Sequence, residues 1–189
     1  MEASSVLRAM RAQKHDFLNQ LQVILGYLQL NKPLEAEKYI EGIVFEINHL
    51  SKVTHLYWPE VALTFLVIRS EAAQKGIKIK YDIQTDLCGC ALSGEEINWS
   101  LEKALAQVIF SLSPLQLPHR QIKIKLKEEP GYYACYINFY SKDNNPGWIE
   151  KQIRVINERL VPGKGRAEFV ERNRRKIISL FFPKISSVK

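Results

Sequence analysis

Apolar side chains recur at alternating spacings of three and four residues along the first part of the chain. This spacing is typical of a helix that packs one face into a bundle, and it predicts one long helix over residues 3–31. The stripe consists of Leu7, Met10, Phe17, Leu21, Ile24 and Leu28, with Lys14 in the remaining position. Leu18 and Leu25 widen the stripe to three positions in seven, which favours a four-helix bundle over a two-stranded coil.

A second helix is predicted after the break at Asn31-Lys32-Pro33, because proline is compatible with the first turn of a new helix. It runs over Leu34–His55, and its apolar stripe is Ala36, Ile40, Ile43, Ile47 and Leu50. A connection this short makes the two helices antiparallel. Two helices bury two apolar stripes poorly, so we expect a homodimer that completes four helices. The alternative is a hairpin that packs on the rest of its own chain.

Beyond Trp58-Pro59 the pattern alternates between helix and strand periods. Helices are predicted at Glu60–Lys75, Glu95–Leu112 and Trp148–Leu160, and strands at Ile77–Ile83, Gln121–Lys127, Tyr132–Tyr140, Ala167–Arg172 and Lys176–Phe182, with loops at Asp86–Gly94 and Ser113–His119. Gly76 is placed to end a helix, and Ser93 with Glu96 matches a capping box. The predicted fold is α+β, with a helical hairpin domain at 1–57 and an α/β sandwich at 58–189, its helices on one face of a mixed sheet.

Composition is that of an ordinary globular protein, with 46% apolar and 25% charged residues. No run of about 18 apolar residues is present, and the N-terminus has no signal-peptide pattern, so we expect a cytoplasmic protein that receives its signal from a soluble partner. The cysteines are Cys88, Cys90 and Cys135. Cys88 and Cys90 could begin a metal site, but a second pair of ligands is missing, so reduced thiols are the favoured interpretation.

Charge is distributed unevenly along the chain. Residues 1–119 contain 11 Lys/Arg and 13 Asp/Glu, whereas residues 120–189 contain 16 and 7. The positive charge of the C-terminal third favours acidic partners or phosphate groups. No zinc-finger, RNP or helix-turn-helix pattern supports nucleic acid as the partner.

His15 is the candidate catalytic histidine. The other histidines, His49, His55 and His119, have no recognisable motif around them and are expected to be solvated or structural. His15 lies at the flank of the apolar stripe, and spacing by four places Arg11 and Asn19 on its helix face. Imidazole is largely neutral near pH 7, since the ordinary histidine pKa is about 6.5, so it can act as a nucleophile and carry a phosphoryl group on nitrogen.

The neighbours of His15 suit that chemistry. Arg11, with Lys14 nearby, would compensate the charge of a phosphoryl group. Asp16 would orient the ring or accept a proton, and Asn19 would hydrogen-bond an incoming group. The alternative is a solvent-exposed histidine without a function.

The run Lys14-His15-Asp16-Phe17-Leu18-Asn19-Gln20-Leu21-Gln22, followed by Val23-Ile24-Leu25-Gly26-Tyr27-Leu28-Gln29-Leu30, resembles the phospho-acceptor helix of the sporulation-type histidine kinases. That helix reads Arg-His-Asp-aromatic-x-Asn-x-Leu-Gln, a hydrophobic run, Gly and Leu-x-Leu. Lys14 replaces the leading arginine. The stretch Glu35–Ile40 is also similar to the second helix of that group.

The remainder resembles a kinase ATPase domain that has lost key residues. The segment that corresponds to the Asn-rich box is Leu101–Ile109. In it, Gln107 replaces the magnesium-binding asparagine, and Lys103 replaces the other asparagine. Asp143–Ile149 is similar to the adenine box, with Asp143 and Gly147 kept and Asn145 at its middle glycine. Gly163–Ala167 resembles a glycine-rich lid that lost most of its glycines. These losses argue against productive use of ATP. The alternatives are an ordinary turn at Asp143–Gly147 and a solvated basic loop at Gly163–Arg166.

Together these features resemble the B-type sporulation initiation phosphotransferases. The resemblance implies a dimeric four-helix bundle and a degenerate histidine-kinase-ATPase-like domain. It further implies that His15 accepts a phosphoryl group from the aspartate of a response-regulator receiver domain and passes it to a second one. Arg11, Lys14, Leu18 and Gln22 would form the docking face. No cofactor is expected in the chain, because Mg²⁺ would come with the receiver.

Two other functions stay open at this point. One is an active sensor kinase of the same group, which autophosphorylates His15 from ATP and uses Asp143 as its adenine contact. The other is a non-catalytic dimeric scaffold that binds response regulators.

Overall fold

The structure is a computed structural model that describes residues 3–112, 120–140, 147–172 and 174–185. Its elements are α1 (Ala3–Gln29), α2 (Pro33–Thr54), α3 (Pro59–Gln74), β1 (Lys78–Ile83), α4 (Gly94–Leu112), β2 (Gln121–Glu129), β3 (Tyr132–Tyr140), α5 (Gly147–Leu160), a 3-10 turn (Val161–Gly163), β4 (Arg166–Arg172) and β5 (Arg175–Pro183). Each predicted helix and strand is confirmed to within a few residues. The predicted loop at 113–119, which includes His119, lies outside the described residues.

The first two helices form the predicted antiparallel hairpin. Asn31 adopts a left-handed conformation with φ of 53°, and Pro33 begins α2. The backbone N–H of Lys32 donates to the carbonyl of Tyr27 at 2.9 Å, which closes the turn. Near this end the Tyr27 and Tyr39 rings pack with their centroids 6.1 Å apart. This contact leaves Tyr27 and Tyr39 partly buried, whereas most apolar side chains of the hairpin are exposed.

One apolar face of the hairpin is open to solvent, and we call it the apolar seam. Its members are each at least 40% exposed: Leu7, Phe17, Leu21, Leu25, Leu28, Ile40, Val44 and Ile47. These are positions of the predicted bundle stripe and the residues flanking it. The hairpin thus leaves an extended hydrophobic surface uncovered, although α1 also packs against α3. The division of the chain into domains at residues 57 and 58 stays a prediction.

The five strands form one mixed sheet in the order β1-β2-β3-β5-β4. β1 is parallel to β2, with Lys80 opposite Lys123, and the other neighbours are antiparallel. The hairpin of β4 and β5 is confirmed. The helices α3, α4 and α5 pack on the sheet through residues that are almost fully buried, including Phe65, Leu101, Leu105, Ile124, Ile137, Ile156, Ile178 and Phe182. This core confirms the predicted α/β sandwich.

Local signals in the sequence explain where the helices of the sandwich begin and end. Gly76 has φ of 66°; its N–H donates to the carbonyl of Ala73 at 2.9 Å, and the N–H of Ile77 donates to that of Ala72 at 2.8 Å. This is a Schellman motif, in which glycine avoids the cost of a left-handed residue. At the start of α4, the Ser93 N–H and hydroxyl donate to Glu96 Oε2 at 2.9 and 2.7 Å, which confirms the capping box.

Much of the positive charge of the C-terminal third lies on the sheet. Lys123, Lys125 and Lys127 alternate along β2 with residues that are buried beneath the helices. On β4, the guanidinium of Arg166 lies over the ring of Phe181, 4.3 Å from its centroid. The sheet face directed away from the helices is therefore cationic, with several lysines partly neutralised by neighbouring carboxylates.

Candidate phosphoacceptor site

His15 lies midway along α1, and its side chain is exposed. Asn19, one turn later, places its amide nitrogen Nδ2 3.1 Å from Nδ1 of the imidazole. The amide therefore holds the ring by its Nδ1 edge and leaves Nε2 directed away from this contact. From the sequence we expected Asn19 to bond an incoming group, whereas in the structure it bonds the ring.

The contact between Asn19 and His15 can select the tautomer of the ring. A neutral imidazole has one N–H and one lone pair, and a side-chain amide can either donate or accept. When the amide nitrogen donates, Nδ1 holds the lone pair. When the amide is rotated by 180°, its oxygen accepts from Nδ1–H, and the lone pair is on Nε2. Asn19 can thus present a nucleophilic Nε2 to a partner without any change in the helix.

The predicted docking residues surround the ring on the exposed side of α1. Arg11 and Lys14 precede His15 on this side, and Leu18 and Gln22 follow it; all four are exposed. Arg11, His15 and Asn19 or Gln22 are three or four residues apart, so they share one helix face. Asp16 is different, because it is among the residues that line a cavity between α1 and α3. Arg11, Lys14, Leu18 and Asn19 thus lie within about one helical turn of His15, whereas Gln22 lies two turns away and Asp16 lines the cavity. Of these described residues, Asn19 is the one that contacts the ring.

The predicted remnant of the Asn-rich box lies on α4. Lys103 Nζ lies 5.9 Å from the ring centroid of Trp99, one turn away on the same helix, and Gln107 is exposed one turn further on. From α5, the Arg159 guanidinium lies 4.9 Å from the same centroid and donates to Glu95 at 2.7 Å. Side chains of α4 and α5 therefore meet at Trp99, whereas Lys103 and Gln107 stay exposed.

The other two kinase-like segments differ in how far the structure describes them. Gly147 is exposed at the first residue of α5, whereas Asp143 and Asn145 lie outside the described residues. Gly163–Ala167 forms a tight turn from α5 into β4. Lys164 adopts a left-handed φ of 63°, and the N–H of Gly165 donates to the Leu160 carbonyl at 2.9 Å. The segment is a short turn held by backbone hydrogen bonds.

The described residues contain no group of three or more His, Cys, Asp and Glu side chains that could hold a metal ion. Cys88 and Cys90 are free thiols, the first exposed and the second buried. Mg²⁺ prefers oxygen ligands and a lysine ammonium has no lone pair to offer, so Lys103 on α4 does not fit the ligand set of a magnesium-nucleotide site. No helix in the described part of the chain is long and apolar enough to cross a membrane.

The N-terminal helices match a known family. The family model "Sensor_kinase_SpoOB-type, alpha-helical domain" matches residues 1–56. Sporulation initiation phosphotransferase B of Bacillus subtilis (strain 168) is 33% identical over 133 residues, which cover 70% of this chain and 68% of that protein. The chain belongs to the sporulation initiation phosphotransferase B family. The family resemblance that the sequence analysis stated is thereby confirmed.

Solved structures place the fold of this family member among histidine kinases. The histidine kinase AdeS of Acinetobacter baumannii superposes with a TM-score of 0.53 at 12% identity, covering 90% of this chain and 98% of that one. The catalytic domain of the histidine kinase ThkA superposes with a TM-score of 0.50 at 10% identity, covering 64% and 87%. At such identities the likeness shows the fold alone. Family membership supports phosphotransfer as the general activity.

Sequence reasoning missed several contacts that shape the site and its support. Asn157 on α5 brackets Ala167, donating to its carbonyl at 2.9 Å and accepting from its N–H at 2.6 Å, and so fastens α5 to β4. The packing of Arg159 on Trp99 and the place of Arg69 in the cavity wall were also missed. A lone Asn or Arg in a helix gives no sequence signal for such contacts, because each depends on a partner outside its own helix.

Proposed function

We propose that this protein is a phosphorelay phosphotransferase that carries a phosphoryl group on His15, taking it from the aspartyl-phosphate of one receiver domain and giving it to another. The observation that carries the proposal is the exposed imidazole of His15, held at Nδ1 by Asn19 within a helix that matches the family. The ring is presented to solvent, and a partner can reach it without a change in the fold.

The transfer balances without an added acid or base. The lone pair of Nε2 attacks phosphorus, the N–P bond forms, and the bond from phosphorus to the aspartate oxygen breaks. The carboxylate leaves with its electron pair. The proton on Nδ1 stays on the ring, where the Asn19 amide oxygen accepts its hydrogen bond. In the second half, the carboxylate of another receiver attacks phosphorus, and His15 leaves as neutral imidazole.

The surroundings of His15 fit a docked receiver. Arg11 and Lys14 supply positive charge beside the phosphoryl oxygens. They bind the negatively charged phosphoryl group more tightly than a helix without these two cations would. Leu18 and Gln22 extend the same exposed face towards the C-terminal end of α1. The cation that neutralises the phosphoryl group in this scheme is the Mg²⁺ of the receiver.

The assembly that we propose is a homodimer joined through the apolar seam. The seam contains eight apolar residues, each at least 40% exposed, on two antiparallel helices. A second copy has the same stripe, so pairing the two hairpins forms a four-helix bundle and removes both stripes from water. His15 lies at the flank of the seam, so the ring stays accessible after the hairpins pair.

The test is transfer of labelled phosphate to the full chain from a phosphorylated receiver domain, with γ-labelled Mg-ATP as a separate donor. We expect acid-labile, alkali-stable label from the receiver and none from ATP. His15→Ala should abolish labelling. His55→Ala is the matched control, because His55 is another exposed histidine on the hairpin, and it should label normally.

Two outcomes would contradict the proposal. Label directly from ATP would make the protein an autophosphorylating kinase, despite the residues at 103 and 107. Binding of the receiver without any phosphohistidine would leave only the scaffold.

A further inference from the structure

A cavity of about 930 Å³ lies between the helical hairpin and the sheet. Its walls come from the N-terminal half of α1, the second half of α2, one face of α3 and the edge strand β1. The volume is within the range of about 300–1,000 Å³ that is usual for small-molecule sites. Among the described residues on and around His15, only Asp16 is part of the cavity wall. The cavity is therefore distinct from the exposed face that carries His15.

The cavity walls are mostly apolar. They include Val6, Met10, Phe45, Leu50, Leu63, Leu66, Ile77 and Ile79. Gly42 on α2 keeps part of the space open, because a Cβ atom built there meets nothing within 4 Å. The walls would therefore accept an aliphatic or aromatic body of a ligand.

Arg69 is a cationic residue in this wall. It lies on α3 and is half-buried, and among the described residues no carboxylate lies within 4.0 Å of its guanidinium. Lys78, another cation of the wall, is paired with Glu46 at 2.9 Å. A guanidinium stays charged at any physiological pH, so partial burial without a counter-ion is costly, and an anion bound beside it would recover that cost.

The environment of Arg69 explains why its charge is available to a ligand. The Tyr81 hydroxyl, also in the wall, already donates to the carbonyl of Phe65 at 2.7 Å. Burial raises the pKa of Tyr81, and the positive charge of Arg69 partly opposes that rise, which places the guanidinium near a neutral phenol. Two further polar atoms of wall residues, His49 Nδ1 and Ser70 Oγ, are buried without a partner in the described part of the chain.

We propose that this cavity binds an anionic amphiphile, a single acyl or aryl chain that ends in one carboxylate. The carboxylate pairs with Arg69, and the chain lies on the apolar walls. Asp16 and Glu46 share the wall, so the site favours one negative charge over the several of a nucleotide.

Calorimetric titration of the full chain with octanoate, and separately with 1-octanol, tests the site. The two probes have the same chain and differ in the charged head. We expect one octanoate per chain and an affinity for 1-octanol that is at least tenfold lower. Arg69→Gln should lower the octanoate affinity at least tenfold and leave the 1-octanol affinity unchanged.

A second variant blocks the space without loss of the fold. Gly42→Leu places a side chain in the open part of the cavity and replaces a helical glycine by a better helix former. It should weaken both probes at least tenfold while circular dichroism and thermal stability are preserved. Lys103→Gln, on the exposed face of α4, is the control and should bind both probes normally.

Three results would overturn the proposal. The first is no saturable octanoate binding up to about 10 mM. The second is equal octanoate affinity in Arg69→Gln. The third is binding that survives Gly42→Leu but is lost in Leu21→Glu, which would assign the probe to the apolar seam. None of these outcomes depends on phosphotransfer through His15.

Discussion

The amide of Asn19 lies 3.1 Å from Nδ1 of His15, so the residue one turn after His15 contacts the edge of the ring opposite Nε2. An amide can serve either tautomer of the ring, and it carries no charge. An asparagine at this position can therefore bond either tautomer of the ring without adding a charge beside it. A carboxylate at the same position would accept only and would favour the imidazolium.

Two substitutions of Asn19 distinguish its role in holding the His15 ring from the effect of a charge beside the ring. Asn19→Asp should move the acidic limb of the pH–rate profile for phosphotransfer to higher pH, because the carboxylate stabilises the imidazolium, which has no lone pair for attack. Asn19→Leu should lower the rate about 10- to 100-fold across the whole pH range, since the ring is no longer held. Rates measured between pH 5 and 9 with a phosphorylated receiver check both. An unchanged profile in Asn19→Asp would show that the contact has no role in transfer.

The apolar seam predicts a dimer that a single charge can break. Leu21→Glu places a carboxylate in the middle of the seam, and burying it in a bundle would leave a charge without a partner. We expect the dimer to dissociate at least tenfold more readily, a cost of about 1.4 kcal/mol or more, as measured by analytical ultracentrifugation. Phe110→Glu is the control, because Phe110 is 74% exposed on α4, outside the seam. Equal dissociation of both variants would remove the seam as the interface.

Alanine should have opposite effects on stability at Gly76, in the Schellman motif after α3, and at Gly42, inside α2. Gly76→Ala forces alanine to φ of 66° and should lower the free energy of unfolding by about 1 kcal/mol. Gly42→Ala, in the interior of α2 and free of contacts, should raise helix stability by roughly 0.5–1 kcal/mol. Urea unfolding checks both. A stabilising Gly76→Ala would contradict the motif.

The capping box of α4 predicts a stability difference that depends on pH. Hydrogen bonds from the Ser93 hydroxyl and backbone hold the pKa of Glu96 below its ordinary value of 4.5. A carboxylate with a lowered pKa stabilises the fold above its unfolded-state pKa and loses that effect as pH falls through the folded-state value. Glu96→Ala should therefore cost about 1 kcal/mol at pH 7 and much less near pH 3.

The control for the cap is Glu41→Ala, which removes an exposed carboxylate from the middle of α2. It should change thermal stability little at either pH. If the gap between wild type and Glu96→Ala were as large near pH 3 as at pH 7, the ionised carboxylate would not be the source of the effect.

The three thiols should differ in reactivity. Burial raises the pKa of Cys135 to about 12, and burial also raises that of Cys90. Cys88 is exposed, and a hydrogen bond to Asp86 raises its pKa. At pH 8 a disulfide reagent should therefore modify Cys88 in the folded protein, but more slowly than an exposed cysteine of ordinary pKa. It should modify Cys90 and Cys135 only after unfolding. Asp86→Asn should speed the first reaction; a rate that stays the same would contradict the contact.

The sequence predicted the elements because their signals are local. The stripe of α1, Gly76 after α3 and the Ser93–Glu96 pair each act within a few residues, and each lies where it was expected. The resemblance of the helix around His15 rests on a continuous run, so it could be identified without a structure. Side-chain identity alone also suggested the loss of magnesium ligands at Lys103 and Gln107.

What the sequence did not predict depends on contacts between distant residues. Asp16 follows His15 directly, yet helix geometry turns it from the ring towards the cavity. Arg69 lies in a stretch with no unusual composition, and its unpaired charge appears only when α3 is placed beside β1 and the hairpin. Trp99 and Arg159 meet across two helices that are far apart in sequence.

The edge position of β1 has a consequence for the order in which the protein folds. β2 with β3 and β4 with β5 are hairpins between successive strands, whereas β1 meets β2 only after the chain has passed through α4. Pairing β1 closes a long loop, and the entropy of that closure delays it relative to the hairpins. Because α2 packs on β1, the hairpin of α1 and α2 would join the sheet last during folding. The same hairpin would detach first when the protein opens partially.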